Sequence, residues 1–289
     1  MGTRVEKLVK WLFSTKAVKV CPQDKPYWYT SGTIGPYYIN THFLYGSEEK
    51  ANELLNLIDS IKTDKYGCPL KLLELVRENY GRDEIYRGLI DEMYGFITEA
   101  LPVGDIDYIS GGERRDWFFS LILADRLGKP HITLYKDLSA VVSTGKEVEK
   151  GMPDLEGKRV LHIADLITEA SSYERAWIPA IEALNGKICW SAVVVDRKQG
   201  GEEYLRSRDI HLFSMIQVDE SLFDHALSLG LINDDQYLLI SEYIKNPKES
   251  MKKFLLEHPH FLRDALNSDE KTKERATLCL EKNFYNVII

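Results

Sequence analysis

The feature that most constrains the fold of this chain is an alternation of short apolar segments with helical segments between residues 105 and 218. The apolar segments are rich in Ile, Val, Leu and Tyr, and this composition is typical of buried strands. Strands that alternate with helices favour a parallel sheet whose crossovers are helical. We therefore predict an α/β protein with a parallel, Rossmann-like sheet. Its strands are predicted at 107–110, 131–135, 159–164, 188–195 and 211–216, with helices at 117–127 and from 173 to about 185.

The segments on either side of this sheet differ from it in composition. Apolar residues at helical spacing predict an amphipathic helix over 1–19, whereas 20–46 is rich in Tyr, Trp, Gly, Pro and Thr and predicts short strands and turns. Further helices are predicted at 47–61, 69–79 and 84–101, and the chain after 219 is predicted to be helical. We expect three domains: an N-terminal part at 1–104, an α/β core at 105–218 and a helical C-terminal extension at 219–289.

Charge and hydropathy argue against two broad classes of protein. The chain has 37 basic and 45 acidic residues, a net charge of −8, so a nucleic-acid coat protein with a basic face is not expected. The longest strongly apolar run, 117–124, is far shorter than the ~20 residues that span a bilayer. The first residues mix Glu with Arg and Lys and lack the apolar core of a signal peptide. We therefore expect a cytoplasmic protein that binds neither membranes nor nucleic acid.

The cysteines and histidines show no metal-ligand spacing. Cys21, Cys68, Cys189 and Cys279 lie far apart without a CxxC pair, which is typical of reduced thiols in a cytoplasmic protein. The seven histidines offer no ligand pattern either. We predict no metal site formed by protein ligands alone.

The loops that follow the predicted strands are the expected place for a ligand, because open parallel sheets bind ligands at the carboxyl ends of their strands. In the most informative one, the strand at 159–164 runs into Asp165 and then into Thr168, Ser171 and Ser172 before a helix. Hydroxyls and backbone N–H groups at a helix start can bind a phosphate, and a carboxylate beside them can bind sugar hydroxyls. The alternative is an ordinary helix N-cap without a ligand.

This segment, 159–172, resembles the phosphoribosyl-pyrophosphate (PRPP) signature of type I phosphoribosyltransferases. Two further segments are similar to orotate phosphoribosyltransferases: 30–40 resembles their N-terminal substrate hood, and 193–201 resembles their strand ending in Asp-Arg. The three segments occur in the family's order, and the resemblance covers about residues 25–220. It implies a phosphoribosyltransferase-type core with an N-terminal hood, a helical insertion and a helical C-terminal extension. The implied activity is that of a glycosyltransferase of pyrimidine nucleotide synthesis, which transfers phosphoribose from PRPP to a nitrogenous base, with orotate favoured.

The resemblance also implies roles for individual residues, a Mg²⁺ ion bound mainly through PRPP, and a homodimer. Catalytic roles are implied for Asp165, Lys136 and the loop residue Lys146. The residues implied to bind PRPP are Asp165 at the ribose, Thr168, Ser171 and Ser172 at the 5′-phosphate, and Arg114, Arg115 and Lys136 at the pyrophosphate. Those implied to bind the base are Tyr37, Tyr38 and Arg197.

Each of these assignments has a structural alternative. Arg114 and Arg115 could pair with Glu113 and Asp116 on the surface. The loop that contains Lys146 could be solvated and flexible. Asp196-Arg197 could be a simple turn after a strand, and the aromatic residues could pack in a core or an interface.

The chain departs from the family pattern at several motif positions. The family has two adjacent acids where this chain has Ala164 and Asp165, and Ala170 replaces a glycine of the phosphate turn. Thr30 replaces the hood lysine, and Ser139 stands at the position of the catalytic loop lysine. The other exchanges are Tyr135 for an arginine and Val141 for a histidine. These departures favour two further hypotheses: a non-catalytic or regulatory relative that binds PRPP or a nucleotide, and a transferase for a different base.

Overall fold

The computed structural model describes residues 3–22 and 24–287 of the chain, which form two compact units. The first unit consists of the chain up to Ala17 together with Thr41–Val218, and the second consists of Val18–Asn40 and the chain from Asp219 onward. The sequence analysis did not predict that 18–40 would group with the C-terminal helices. The strands are β1 (Val18–Val20), β2 (Tyr27–Trp28), β3 (Ile34–Gly35), β4 (Tyr37–Ile39), β5 (Tyr108–Gly112), β6 (His131–Leu134), β7 (Ala140–Ser143), β8 (Arg159–Ile167), β9 (Lys187–Asp196) and β10 (His211–Gln217).

The helices confirm most of the sequence-based boundaries. They are α1 (Arg4–Ser14), α2 (Glu48–Ile61), α3 (Cys68–Arg82), α4 (Glu84–Ala100), α5 (Trp117–Leu127), α6 (Ile178–Glu182), α7 (Gly201–Ser207), α8 (Glu220–Ser228), α9 (Asp234–Lys245), α10 (Pro247–Glu257), α11 (His260–Leu266) and α12 (Glu270–Glu281). The hydroxyl of Ser47 caps α2 by accepting a hydrogen bond from the N–H of Lys50 at 3.2 Å. Gly128, at a φ of 64°, ends α5 in the left-handed conformation that glycine favours.

The first unit contains a six-stranded sheet in the order β10-β9-β8-β5-β6-β7. All pairings are parallel except the one between β6 and β7. This confirms the predicted α/β class. Helix α5 connects β5 to β6, and its aromatic residues Trp117, Phe118 and Phe119 are almost fully buried. The chain therefore crosses over after β5 in a helix whose N-terminus lies at the carboxyl end of the sheet.

Two predicted boundaries are wrong, and each has a local cause. The helix predicted over 1–19 ends at Ser14, because Lys16 adopts a φ of 61° and Val18–Val20 pairs with Tyr37–Ile39 as a strand. The segment 137–157, predicted as a loop, contains β7. Val142 is 1% exposed and pairs with Ile132 of β6, so burial of apolar side chains outweighs the polar composition around it.

The region around the predicted phosphate turn also differs from expectation. Strand β8 continues to Ile167, where it pairs with Asp196 of β9, so Asp165 lies inside the strand and not in a turn after it. The helix predicted from 173 to about 185 is irregular at its start. Pro179 lies in the first turn of α6, and the residues before it, Tyr173–Trp177, form a π-helical turn.

The second unit combines two small antiparallel sheets, β1–β4 and β2–β3, with the helices α8–α12. Its core is apolar and aromatic: Trp28 stacks on Phe261 at a ring-centroid distance of 5.5 Å, and the N–H of Ile34 donates to the hydroxyl of Tyr285 at 2.9 Å. Among the helices of the described residues, none is both long and apolar enough to cross a membrane.

Candidate active site

A cavity of about 380 Å³ lies in the first unit, at the carboxyl ends of β5, β6 and β8. The sequence analysis named seven residues as ligands of PRPP, and all seven line this cavity: Arg114, Arg115, Lys136, Asp165, Thr168, Ser171 and Ser172. They come from three loops that are distant in the sequence. The parallel order β8-β5-β6 brings these loops together, because the carboxyl ends of neighbouring parallel strands meet at one edge of the sheet.

The turn after β8 presents three hydroxyls, those of Thr168, Ser171 and Ser172. Within the described residues, none of these hydroxyls makes a hydrogen bond to another protein group, and Ser172 does not cap the helix that follows. The N-cap alternative therefore does not account for Ser172. Ala170 adopts a φ of 58°, a conformation that costs a non-glycine residue roughly 1–2 kcal/mol. Its methyl group is 3% exposed and packs in the cluster that contains Tyr173, which offsets part of this cost.

Asp165 forms the floor of the cavity and is 7% exposed. Its backbone N–H donates to Oδ1 of Asp116 at 3.1 Å, while its own Oδ2 is buried and has no hydrogen-bond partner. Burial, and then the charge of Asp116, raise the pKa of the Asp165 carboxyl well above its usual range, and the nearby Arg115 only partly opposes this. A buried acceptor without a partner costs free energy, so this oxygen is a strong candidate for contact with a ligand.

The loop between β5 and α5 supplies two arginines whose environments differ. The guanidinium of Arg114 contacts the carboxylate of Asp59 on α2. Arg115, by contrast, is exposed and makes no side-chain hydrogen bond or ion pair within residues 3–22 and 24–287. The alternative in which both arginines pair with Glu113 and Asp116 is therefore not what the structure contains. The peptide bond between Glu113 and Arg114 is cis.

Glu113 holds this loop from two sides. Its carboxylate accepts a hydrogen bond from Nζ of Lys62 at 2.8 Å and another from the backbone N–H of Lys136 at 3.1 Å. The first bond ties the loop to the end of α2, and the second ties it to the residue after Tyr135 at the end of β6. In the part of the chain that the structure describes, the ammonium of Lys136 itself has no ion-pair partner. Lys136 and Arg115 therefore give the cavity two positive charges that make no ion-pair contact within the described residues.

Four other predicted site residues are not among those that line the cavity. Lys146 does not line the cavity; it is exposed beside Gly145, whose carbonyl accepts from Arg77. Arg197 is also not a lining residue, and its Nε is buried without a partner. Tyr37 and Tyr38 belong to the second unit.

These two tyrosines are packed in the second unit. The ring of Tyr37 is 5% exposed and lies 5.1 Å from the ring of Phe223. The hydroxyl of Tyr38 donates to the carbonyl of Trp28 at 2.7 Å. Within their unit, both tyrosines therefore make packing contacts, as the structural alternative for these aromatic residues predicts.

Asp116, Tyr173 and Trp177 are among the lining residues that were not predicted as site residues from the sequence. Trp177 explains the glycine at the end of β5, because a Cβ at Gly112 would lie 2.2 Å from the indole ring. Asp116 was considered only as a surface partner of the arginines, yet it is 8% exposed. Its position directly before the apolar start of α5 is the signal that could have indicated burial.

Comparison with known proteins identifies the family. No protein-family model matches the chain. An orotate phosphoribosyltransferase from Sulfolobus acidocaldarius is 33% identical over 220 residues, which are 75% of this chain and 88% of that protein.

Two solved structures share the fold. UMP synthase from Leishmania donovani matches with a TM-score of 0.55 and 16% identity, over 84% of this chain and 42% of that longer one. An orotate phosphoribosyltransferase from Francisella tularensis matches with a TM-score of 0.51 and 14% identity, over 81% of this chain and 96% of that one. At these identities the two structures establish the fold alone. Together with the relative from Sulfolobus acidocaldarius, they show that the chain belongs to the type I phosphoribosyltransferase family and is orotate phosphoribosyltransferase-like.

Proposed function

We propose that the protein transfers phosphoribose from PRPP to a nitrogenous base and that orotate is the acceptor. The observation that carries this proposal is the composition of the 380 Å³ cavity: three unpaired hydroxyls, two unpaired cations and one buried, unpartnered carboxylate oxygen surround it. PRPP needs these groups in this combination, since it carries a 5′-phosphate, ribose hydroxyls and a pyrophosphate. The presence of an orotate phosphoribosyltransferase among the relatives of the chain supports the choice of acceptor.

Each group of the cavity has a part in binding PRPP. Thr168, Ser171 and Ser172 would donate to the 5′-phosphate, together with backbone N–H groups of the turn. Asp165 would accept hydrogen bonds from the ribose hydroxyls. The guanidinium of Arg115 can bind pyrophosphate oxygens in a bidentate manner, and Lys136 would add a second positive charge.

The residues present are suited to a magnesium ion bound along with PRPP. Mg²⁺ prefers oxygen ligands and usually binds through one or two carboxylates plus substrate phosphates. The unpartnered Oδ2 of Asp165 is such an oxygen. When bound, Mg²⁺ would neutralise charge on the pyrophosphate.

In the proposed reaction, the bond between C1′ of the ribose and the pyrophosphate oxygen breaks, and a bond from C1′ to a nitrogen of the base forms. The transition state has oxocarbenium character, so the protein contributes by positioning the reactants and stabilising the leaving pyrophosphate. Arg115 and Lys136 would stabilise the pyrophosphate.

We propose Lys146 as a loop cation that reaches the reacting groups. We propose Arg197, Tyr37 and Tyr38 as residues that bind the base. We also propose that the protein is a homodimer and that it is located in the cytoplasm.

Titration calorimetry with PRPP and Mg²⁺, followed by an orotate-consumption assay on the same sample, tests this function. Binding with turnover is the expected result. Asp165→Asn should weaken PRPP binding at least tenfold while the melting temperature does not fall below that of the wild type. If the wild-type protein does not bind PRPP at all, the proposed function is wrong.

One observation favours a second candidate, a PRPP or nucleotide sensor. Ser139 stands where the family has its catalytic loop lysine, and its hydroxyl accepts a hydrogen bond from Nζ of Lys65 at 2.8 Å. That lysine also pairs with Asp137 at 2.5 Å. PRPP binding without consumption of orotate would support the sensor, and a panel of other bases would separate it from a transferase with a different acceptor.

A further inference from the structure

Two carboxylates from different segments lie side by side on the floor of the cavity. Asp165 comes from β8, and Asp116 directly precedes α5. The backbone N–H of Asp165 donates to Oδ1 of Asp116 at 3.1 Å, so the two residues are in direct contact. Both residues line the cavity, and they are 7% and 8% exposed. The cavity therefore contains an acidic pair that is almost shielded from water.

Ala164, the residue before Asp165, makes this acidic pair more significant. The family signature carries two adjacent acids, but here the first of the two positions is Ala164, which is 2% exposed and also lines the cavity. Strand β8 alone thus brings one carboxylate to the site. The second carboxylate of the cavity floor comes from the neighbouring loop, through Asp116.

The carboxylate of Asp116 is held in place by buried partners. Its Oδ2 accepts from the N–H of Gly112 at 3.0 Å and lies 3.5 Å from Nε2 of His162. The Nδ1 of His162 is in turn 2.9 Å from the hydroxyl of Ser110. These contacts fix the side chain of Asp116. They do not use all of its acceptor positions, because an ionised carboxylate has about four. A fixed group with spare acceptor capacity is suited to bind a ligand without rearrangement.

The electrostatics of the pair indicate which ligand groups it can meet. PRPP carries several negative charges, so a second buried carboxylate would repel its phosphates unless a cation lay between them. Hydroxyl donors and a divalent cation are the groups that two adjacent carboxylates bind favourably. Burial, and then the charge of Asp116, raise the pKa of the Asp165 carboxyl, and the second of these causes is the repulsion within the pair.

We propose that Asp116 supplies, from the loop before α5, the second carboxylate of the PRPP site, and that it binds the ribose hydroxyls and Mg²⁺ of PRPP together with Asp165. This inference rests on the proposed function, since it names a further binding residue of the same site. It also explains how the chain tolerates Ala164 within its signature.

The test compares Asp116→Asn with the wild type by calorimetric titration of PRPP at two Mg²⁺ concentrations at which the wild type binds measurably. We expect the variant to bind at least tenfold more weakly at the higher concentration and only a few-fold more weakly, or equally well, at the lower one. A merely structural role would weaken binding by the same factor at both concentrations, and that result would overturn the inference. Asp125→Asn is the matched control, because Asp125 lies on α5, the helix that follows Asp116, and pairs with Arg77 outside the cavity.

A rescue variant tests whether the loss of binding comes from the missing carboxylate and not from a small change in the conformation of the loop. Ala164→Asp placed in the Asp116→Asn background should recover most of the lost Mg²⁺ dependence, and no recovery would count against the inference. Asp116→Ser serves as a second neutral variant if Asp116→Asn does not fold. If neither neutral variant folds, Asp116 is a structural residue and the proposal is wrong. Failure of the wild type to bind PRPP would instead overturn the proposed function itself.

Discussion

Two segments beside the same sheet, one at its carboxyl edge and one that contains the edge strand β7, illustrate different ways of placing cations. The loop 113–116 and the segment 137–157 each carry two basic residues, Arg114 and Arg115 in the first, Lys146 and Lys150 in the second. All four residues of the short loop line the cavity. In the described chain, no residue of 137–157 does so.

The difference follows from how each segment is held. The short loop joins a buried strand directly to a buried helix, and Lys62 anchors it through Glu113. The long segment contains the edge strand β7, and its contacts lead to other residues, since Lys65 binds Asp137 and Arg77 pairs with Asp125 beside Gly145. Because β7 runs antiparallel to β6, with Ser143 beside His131, the chain after Ser143 leaves the sheet at the amino end of β6. Lys146 and Lys150 therefore follow the edge opposite the cavity, whereas Arg114 and Arg115 follow the carboxyl end of β5.

Replacement of Arg115 should have the largest effect, because this guanidinium is unpaired and lines the cavity. We expect Arg115→Ala to weaken pyrophosphate and PRPP binding at least tenfold, which corresponds to the loss of about 1.4 kcal/mol or more for a charge-assisted bidentate contact. Binding of a nucleoside monophosphate should change much less, and the melting temperature should not fall. Calorimetric titration with each ligand measures this. Equal weakening for all ligands would show that Arg115 is structural.

Asp165, on the floor of the cavity, and Asp137, in the segment 137–157, should differ in the sign of the pH dependence that they give to stability. Burial and Asp116 raise the pKa of Asp165, so the stability linked to this group is present at acidic pH and is lost as the pH rises through the raised value. Lys65 is the main cause that lowers the pKa of Asp137 to about 2, so the stability linked to that carboxylate is lost only as the pH falls towards 2.

Urea unfolding of the metal-free protein across pH measures both effects. Asp165→Asn should flatten the decline in the free energy of unfolding between about pH 5 and 8, by more than ~1 kcal/mol because each unit of pKa shift corresponds to about 1.4 kcal/mol. Asp137→Asn should change only the acidic limb, and by less, since its side chain is 59% exposed. An unchanged profile between pH 5 and 8 for Asp165→Asn would show that the burial of this carboxyl carries no such cost.

Replacement of Lys62, which anchors the short loop through Glu113, should have a smaller effect on pyrophosphate binding. Lys62→Met removes the cation that binds both Glu113 and Asp59, so the loop loses its tie to α2. Because partly exposed ion pairs contribute about 0.2–1 kcal/mol, we expect pyrophosphate binding to weaken about threefold. Lys50→Met is the control, since Lys50 lies on the same helix and pairs with Asp83. If both variants bind as the wild type does, the anchor does not position the loop.

The same contrast explains which parts of the structure could be predicted from the sequence and which could not. Helix α5 was predicted with its observed bounds, because an apolar run ends there at a left-handed glycine, and both signals are local. Strand β7 was missed because two valines within a polar segment give little periodic signal, and their burial depends on β6. Lys146 was predicted as a loop cation that could replace the missing family lysine, and Tyr37 and Tyr38 were predicted because aromatic rings can stack on a base. The buried pairing of Asp116 with Asp165 joins residues 49 positions apart, so no local pattern could indicate it.

Replacement of Lys146 should have the smallest effect on binding. Lys146 is exposed outside the lining of the cavity, so we expect Lys146→Ala to change the affinity for PRPP with Mg²⁺ by less than twofold. If the loop cation acts only while the reaction proceeds, the same variant will lower kcat and leave binding intact, which steady-state kinetics and calorimetry on one sample can separate. A tenfold loss of affinity would instead mean that the segment 137–157 already contributes a cation when PRPP binds. The contrast between the two segments would then be one of flexibility and not of function, because both would deliver their charge to the same pyrophosphate.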